Sequence, residues 1–362
     1  MKEVCSKKKM SIWTALAITI TAVGLLIGPF LSSVIAKDYV YRVRLATSKE
    51  GSGAYSSGVG MCACVKKYTD IFMEAVPTPG STASVKIFAS GNVDTAYAST
   101  WTLRDAYNDT GPFAERSIRD KRLPLQGWYY VPIAYCVITT PKSGINSLHD
   151  LAGRRVFPNI AGGGVYDVYK EILTKMGIWD KMEKRQMGFM EAPDALKLGT
   201  IEAVCAYTVC KGLVGPSWMK NLDNRMDLKI IVPTQEEKEF IRKMSGLTCG
   251  RNFNKWMKPE NQARNSGELW GWSFGYGFHP GADMPTEVMY KIYKAWIEHA
   301  KGDLAATNSL LKIYAEDPIR NQIEAISEIP EIPIHPGVAK YLKEKGLWKP
   351  SWIVGKLDPG VE

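Results

Sequence analysis

The chain has 362 residues, 45% hydrophobic and 23% charged, with a formal net charge of +9. That is the composition of a globular protein large enough for two lobes, and it excludes a disordered or fibrous chain. The four lysines and one glutamate before residue 37 take the remainder to +6, spread without a Lys/Arg block, so the charge gives no support to nucleic-acid binding.

The chain opens on Lys2, Lys7, Lys8 and Lys9, followed by an uncharged apolar run from Ile12 to Ile35 and then Ser33-Val-Ile-Ala36 before Lys37-Asp38. A basic start, an apolar stretch and small or aliphatic residues at −3 and −1 predict an export signal cleaved after Ala36. The run also reaches the length of a membrane span, so an uncleaved anchor is the alternative. Either way the remainder is expected outside the cytoplasmic membrane, and the leading lysines keep the amino end inside.

A strand-like run, Tyr41–Thr47, leads into Gly51-Ser-Gly-Ala-Tyr-Ser-Ser-Gly58 and a helix predicted over 59–74 that carries Val59, Cys62, Ala63, Tyr68, Ile71 and Phe72. Further strands are predicted at Val85–Ala89, Asp94–Ala98, Ile133–Thr139, Arg155–Phe157, Ala203–Tyr207 and Lys229–Val232. Helical patterns fall at 101–107, 165–176, 192–199 and 285–300; the last has a start signal at Asp283-Met-Pro-Thr-Glu and a regular apolar stripe. A proline-punctuated extended segment from Ile329 then leads into a short helix at 337–345. Alternation of this kind predicts parallel sheets with crossover helices.

The segment after Arg155–Phe157 repeats the first design, with Asn159-Ile-Ala-Gly-Gly-Gly-Val165 entering a helix that carries Val168, Tyr169, Ile172, Leu173 and Met176. A glycine loop entering a helix aims unpaired N–H groups at one point, which suits a carboxylate or phosphate. Neither loop is a Walker sequence or a dinucleotide fingerprint. Two of them imply one acid held between two lobes.

Of the seven cysteines, Cys62, Cys64, Cys136, Cys205, Cys210 and Cys249 follow the leader. Their spacing fits no common zinc site, which leaves buried small apolar residues or one disulfide. The four histidines, His149, His279, His299 and His335, lie at helix ends or before prolines, and no G-x-S-x-G, H-E-x-x-H or Ser/His/Asp set is present. No catalytic residue, metal site or cofactor is predicted, which leaves an exported enzyme as the least supported reading.

Four segments carry a family resemblance. They are the Gly51–Gly58 loop, Ser81-Thr-Ala-Ser-Val-Lys with Ser90-Gly-Asn-Val-Asp-Thr-Ala96, Ser143-Gly-Ile-Asn-Ser-Leu-His-Asp-Leu-Ala-Gly-Arg-Arg-Val156, and His335-Pro-Gly-Val-Ala-Lys-Tyr-Leu-Lys-Glu-Lys-Gly346. In order and spacing they resemble the TAXI-type solute-binding proteins of TRAP transporters, over roughly residues 42 to 347. The resemblance implies an α/β, type II periplasmic-binding-protein fold, with two lobes of mixed, mostly parallel sheets joined by crossover strands. It implies residues 37–135 and 271–362 in lobe I and 136–270 in lobe II, with crossings near Tyr135–Thr140 and Trp270–Phe278. It further implies capture of a small organic acid or amino acid by a monomer that delivers it to an ion-gradient-driven TRAP membrane permease. A membrane-tethered solute sensor is the alternative.

Carried over to this sequence, the ligand-binding residues are Ser52, Gly53, Ala54 and Tyr55 in the first loop and Ser99, Thr100 and Trp101 after the strand at 94–98. Tyr135 stands at the crossover, Asn159, Gly163, Gly164 and Val165 form the second loop, and Tyr207 follows the strand at 203. The family's usual Gly-Ser-Gly-Thr is Gly162-Gly-Gly-Val165 here, Trp101 replaces a short polar residue, and Lys49-Glu50 replaces small residues. These departures imply a bulkier or more apolar acid than a plain dicarboxylate.

Overall fold

In a computed structural model, which describes residues 38–362 apart from 210–212, 246–248, 251–253 and 268, two half-sheets share one continuous run of strands. The export-signal reading of residues 1–36 and the state of Cys210 lie outside the described residues, as does the side chain of Cys249. Among the described residues no helix is long and apolar enough to cross a membrane.

The first half-sheet is built from β1 (Tyr41–Ala46), β2 (Ile71–Val76) and β3 (Thr95–Ser99), parallel and in the order β2-β1-β3. The helices between them are α1 (Gly53–Tyr68) and α2 (Ser81–Ala89), and α3 (Thr100–Asn108) follows β3. The long strand β4 (Trp128–Thr139) then leaves for the second half. There, β5 (Arg155–Phe157), β6 (Glu183–Lys184) and β7 (Ala203–Val209) repeat the order β6-β5-β7, with α4 (Gly164–Lys175) entering after β5. Strand β8 (Lys229–Ile231) pairs with β4, and β9 (Cys249–Gly250) with β10 (Trp270–Pro280), which returns to the first half antiparallel to β3. The chain closes with α5 (Thr286–Glu298), α6 (Pro318–Glu328) and α7 (Pro336–Glu344).

Each half therefore has the same strand order: three parallel strands, one antiparallel strand arriving from the other half, and one more beyond it. This is the two-lobed α/β topology that the resemblance implies. Twelve residues of strand span about 40 Å, long enough for β4 to serve both halves. Every residue of β10 is buried. The changeover is sharp. Strand β7 begins to pair with β4 at Ile133, and β3 pairs with β10 only from Tyr276 onward, so the opposed pair Pro132 and Gly275 lies between the two halves.

Two predicted elements are corrected. The helix expected over 59–74 ends at Tyr68, and Ile71 and Phe72 begin β2 instead. Thr69 stops the helix: its hydroxyl donates to the Val65 carbonyl and accepts the Ile71 N–H. The β-forming run Ile-Phe-Met then pairs along β1. Val59, placed in the apolar stripe, is 46% exposed. The strand expected at Val85–Ala89 is the second half of α2, where Val85, Phe88 and Ala89 face the core at helical spacing.

The apolar core follows the sheets. Trp128, Trp296, Phe278 and Tyr130 pack against one another beneath the crossing strands, with the Trp128 and Tyr130 rings stacked at 5.6 Å. His279 and His335 are buried and neutral, pushed down to about 3 and about 4 by burial. His335 caps α7 by accepting the Gly337 N–H at Nδ1, and its Nε2 donates to the Met284 carbonyl. Among the described residues, Cys62, Cys64, Cys136 and Cys205 are buried and joined in no disulfide.

Candidate functional site

Three helix starts meet where the halves face each other. Helix α2 begins at Gly80 and α4 at Gly163, both without a side-chain cap, so their first-turn N–H groups point into the seam. Helix α3 begins at Ser99, whose hydroxyl accepts the Thr102 N–H. The approach between halves is close: a Cβ on Gly80 would stand 3.5 Å from the Gly163 Cα, and one on Gly164 would stand 2.1 Å from Ser81 Oγ. Glycine at 164 is what allows backbone to lie on side chain here.

Buried hydroxyls fill the meeting point. Ser99 Oγ lies 2.9 Å from Thr102 Oγ1, and Thr102 donates to Ser81 Oγ at 3.3 Å. From the crossing strands, the hydroxyls of Tyr135 and Tyr276 sit 2.8 Å apart. Burial raises the Tyr276 phenol, and hydrogen bonds from Tyr135, Ser99 and Ser81 partly offset it. Buried hydroxyls are costly unless bonded, and here they satisfy one another. Such a network can re-aim its donors at an acid group, since a hydroxyl rotates to suit its partner.

Among the described residues, two side-chain hydrogen bonds join the halves outside this cluster. Thr82 Oγ1 donates to Asp167 Oδ2 at 2.7 Å, and Trp101 Nε1 donates to Glu171 Oε2 at 2.9 Å. Both carboxylates stand on α4, one turn apart. Burial raises the Asp167 carboxyl, against the lowering effect of the Thr82 bond and the nearby lysines 86 and 170.

Of the residues expected to bind ligand, Ser99, Thr100, Trp101, Tyr135, Gly163 and Gly164 stand together at this seam. Trp101 packs edge-on against Phe274 at 4.9 Å and bridges to α4. Val165 is half-buried beside them. Asn159 is buried at a φ of +77°, where it fastens its own loop: its amide donates to the Cys205 carbonyl and its side-chain oxygen accepts the Ile160 N–H. Tyr207 lies in the second half among Phe189 and Trp218.

The first loop is placed differently. Ser52 caps α1 by accepting the Tyr55 N–H, Gly53 lies against Leu310, and Asn308 donates to the hydroxyls of Ser56 and Ser57. Ser52, Gly53, Ala54 and Tyr55 leave the same sheet edge as α2, since Thr47 and Thr78 are joined there by a hydrogen bond. The segment seated against Gly163 and Gly164, however, is Gly80-Ser81.

Sequence reasoning missed Ser81, Thr82, Thr102, Tyr276, Asp167 and Glu171. A signal for the first two was present: Pro77-Thr-Pro-Gly80 followed by Ser-Thr is a third glycine-to-helix start. It is obscured once Val85–Ala89 is read as a strand.

Solved structures with related coordinates include three solute-binding proteins. The Polaromonas TctC solute-binding protein is 14% identical, with 81% of this chain and 99% of that one covered and a TM-score of 0.44. An ancestral arginine-binding protein bound to arginine is 18% identical, over 76% and 97%, at a TM-score of 0.43. The Escherichia coli aliphatic sulphonate-binding protein SsuA is 12% identical, over 84% and 83%, at 0.39. The family model described as NMT1-like matches residues 45–346, and the chain belongs to the NMT1-like family.

Proposed function

We propose that this protein is an extracytoplasmic solute-binding protein of the TAXI type. It holds one small organic acid or amino acid between its halves and passes it to a TRAP-type permease driven by an ion gradient. The observation that carries the reading is the meeting of the α2, α3 and α4 starts over a buried cluster of hydroxyls at the seam. Helix N-termini favour negative charge, and rotating hydroxyls supply the remaining donors. No proton-transfer or nucleophilic step is assigned to it: His279 and His335 are bound within the core, and the tyrosines are held neutral by burial.

In this reading the acid group takes the first-turn N–H groups of α2 and α4, with Ser81, Ser99, Thr102, Tyr135 and Tyr276 around it. Trp101 and Tyr207 offer apolar walls on opposite sides. The loop at Ser52–Tyr55 forms the rim of the first half. In this reading the lobes meet at Pro132 and Gly275, a few residues from the expected limits of 37–135 and 271–362 for lobe I and 136–270 for lobe II, and the pair closes about the crossing strands.

A thermal-shift screen of residues 37–362 against amino acids, keto acids and dicarboxylates tests this. One acid should raise the melting temperature saturably with no product formed. Trp101→Phe keeps the ring but deletes the Glu171 bond, and should weaken that acid by about 1 kcal/mol, roughly fivefold. Tyr55→Ala, at the rim, should weaken it less. A panel with no stabilising acid, or turnover of one, would reject the reading.

A further inference from the structure

The pair Pro132 and Gly275 marks the boundary between the half-sheets, and one helix grips the crossing strands beside it. Proline offers no N–H, which suits a point on β4 just outside its pairing with β7. Strand β3 stops opposite Tyr276, and the next N–H along β10, that of Gly275, is taken by Glu328 Oε2 at 2.9 Å. The same carboxylate oxygen accepts the Thr100 hydroxyl at 2.6 Å. Thr100 is the first residue of α3, between Ser99 and Trp101. Helix α6, which ends on Glu328, also clasps β4. The Gln322 side chain accepts the Tyr129 N–H at 2.8 Å and donates to the Tyr129 carbonyl. The seating is tight, because a Cβ on Gly275 would stand 2.5 Å from that of Ala325.

We propose that Glu328 is a positioning residue that ties the α3 start to the boundary point of β10, so that rotation about Pro132 and Gly275 moves Ser99, Trp101 and Thr102 together. The inference rests on the proposed closure of the halves but not on which solute is bound. One carboxylate oxygen holds a backbone N–H of the crossing strand and a side chain of the site at once. Neither partner can shift without straining the other. Arg104, one helical turn beyond Thr100, donates to the Glu328 carbonyl at 3.0 Å and fixes α6 to α3 as a unit. Loss of the carboxylate therefore removes one tie between the α3 start and β10 and loosens the contacts of α3 with α4 across the seam.

Hydrogen exchange on the full chain without ligand, followed by mass spectrometry, tests this. In Glu328→Leu, exchange should rise about tenfold not only at 99–104 and 270–276 but also at 160–167, in the opposite half. Glu328→Gln keeps a carbonyl oxygen that can accept both bonds and should restore most of the protection. Thr100→Val removes one donor without touching α6, and should reproduce the increase at 160–167 should Glu328→Leu fail to fold. A purely local role would leave 160–167 protected in Thr100→Val and in any folded Glu328→Leu. That result, or Glu328→Gln behaving like Glu328→Leu, overturns the proposal. Because no ligand is added, its failure is separate from failure of the solute screen.

Discussion

Replacing Gly164 with alanine tests the apposition of α4 and α2 most directly. The new Cβ would stand 2.1 Å from Ser81 Oγ and 3.3 Å from the Tyr276 hydroxyl. Ordinary contact needs about 3.5 Å, so either the serine rotates or α4 withdraws. Rotation is opposed, because Ser81 Oγ accepts from Thr102 within the hydroxyl cluster. Overpacking of this kind costs about 1–3 kcal/mol, or roughly 5- to 150-fold in any equilibrium that requires the two helix starts to meet. Alanine is the better helix former by about 1 kcal/mol, so α4 itself is not weakened. The expected outcome is a large loss of affinity for the acid returned by the screen, read by calorimetric titration, with a small change in melting temperature. Adding Ser81→Ala removes the clashing oxygen and leaves the Ser81 Cβ at 3.4 Å. The double variant should bind more tightly than the sum of the single losses predicts. Unchanged affinity in Gly164→Ala, or strict additivity in the pair, would refute the reasoning.

Two further outcomes follow from buried groups. Burial, and then the charge of Glu171, push the Asp105 carboxyl up to about 7. An acid whose folded value is raised favours the folded state when protonated. Its contribution is therefore full below the ordinary carboxylate value of about 4 and is lost as pH rises through about 7. Asp105→Asn should match the parent protein in melting temperature near pH 4 and exceed it increasingly towards pH 8; a constant difference over that range would contradict the assignment. The thiols of Cys62 and Cys64 are pushed up to about 12, chiefly by burial. Both should resist alkylation at pH 8 in the folded protein and react promptly in denaturant, as counted by mass; rapid modification of either in the native state would show the buried assignment to be wrong.

The alternation of short apolar runs and amphipathic helices makes the α/β class legible, because β3, β5, β7, β8, α4 and α5 each carry an unbroken local signal. Element boundaries fail where two periods overlap. In Tyr68–Phe72 the apolar residues continue the α1 stripe at helical spacing although they enter β2, and only the Thr69 hydroxyl, bonded to Val65 and Ile71, decides the matter. At Val85–Ala89 the β-branched and aromatic residues read as a strand, while the determinant is the Gly80 start. The site is legible in kind but not in membership. Glycine loops announce helix starts, yet nothing local says that the partner of Gly164 is Ser81 rather than Ser52. That pairing is a product of the strand order. Tyr276, Asp167 and Glu171 are invisible for the same reason: each matters only because the crossing strands bring the halves face to face.

The seam and the crossing strands are held by different forces, and the difference bears on how the halves can move. Beneath β4 and β10 the contacts are aromatic, with Trp128, Trp296 and Phe278 buried; an aromatic side chain removes about 150–250 Å² from water, at about 25 cal/mol for each Å². Exposing that surface would cost several kcal/mol per side chain. At the seam the facing groups are hydroxyls, glycines, the Trp101–Phe274 packing and two carboxylate-accepted hydrogen bonds, and water can replace the hydrogen bonds at a net cost of about 0.5–1.5 kcal/mol each. That aromatic cluster lies within the first half, so the halves are joined by the strands they exchange and by these contacts across the face where the helix starts meet. In the proposed closure, rotation about Pro132 and Gly275 would part the second contact and leave the first in place. A solute that engages the N–H groups of both α2 and α4 adds its contacts only to the apposed arrangement, and this differential affinity is what would favour closure.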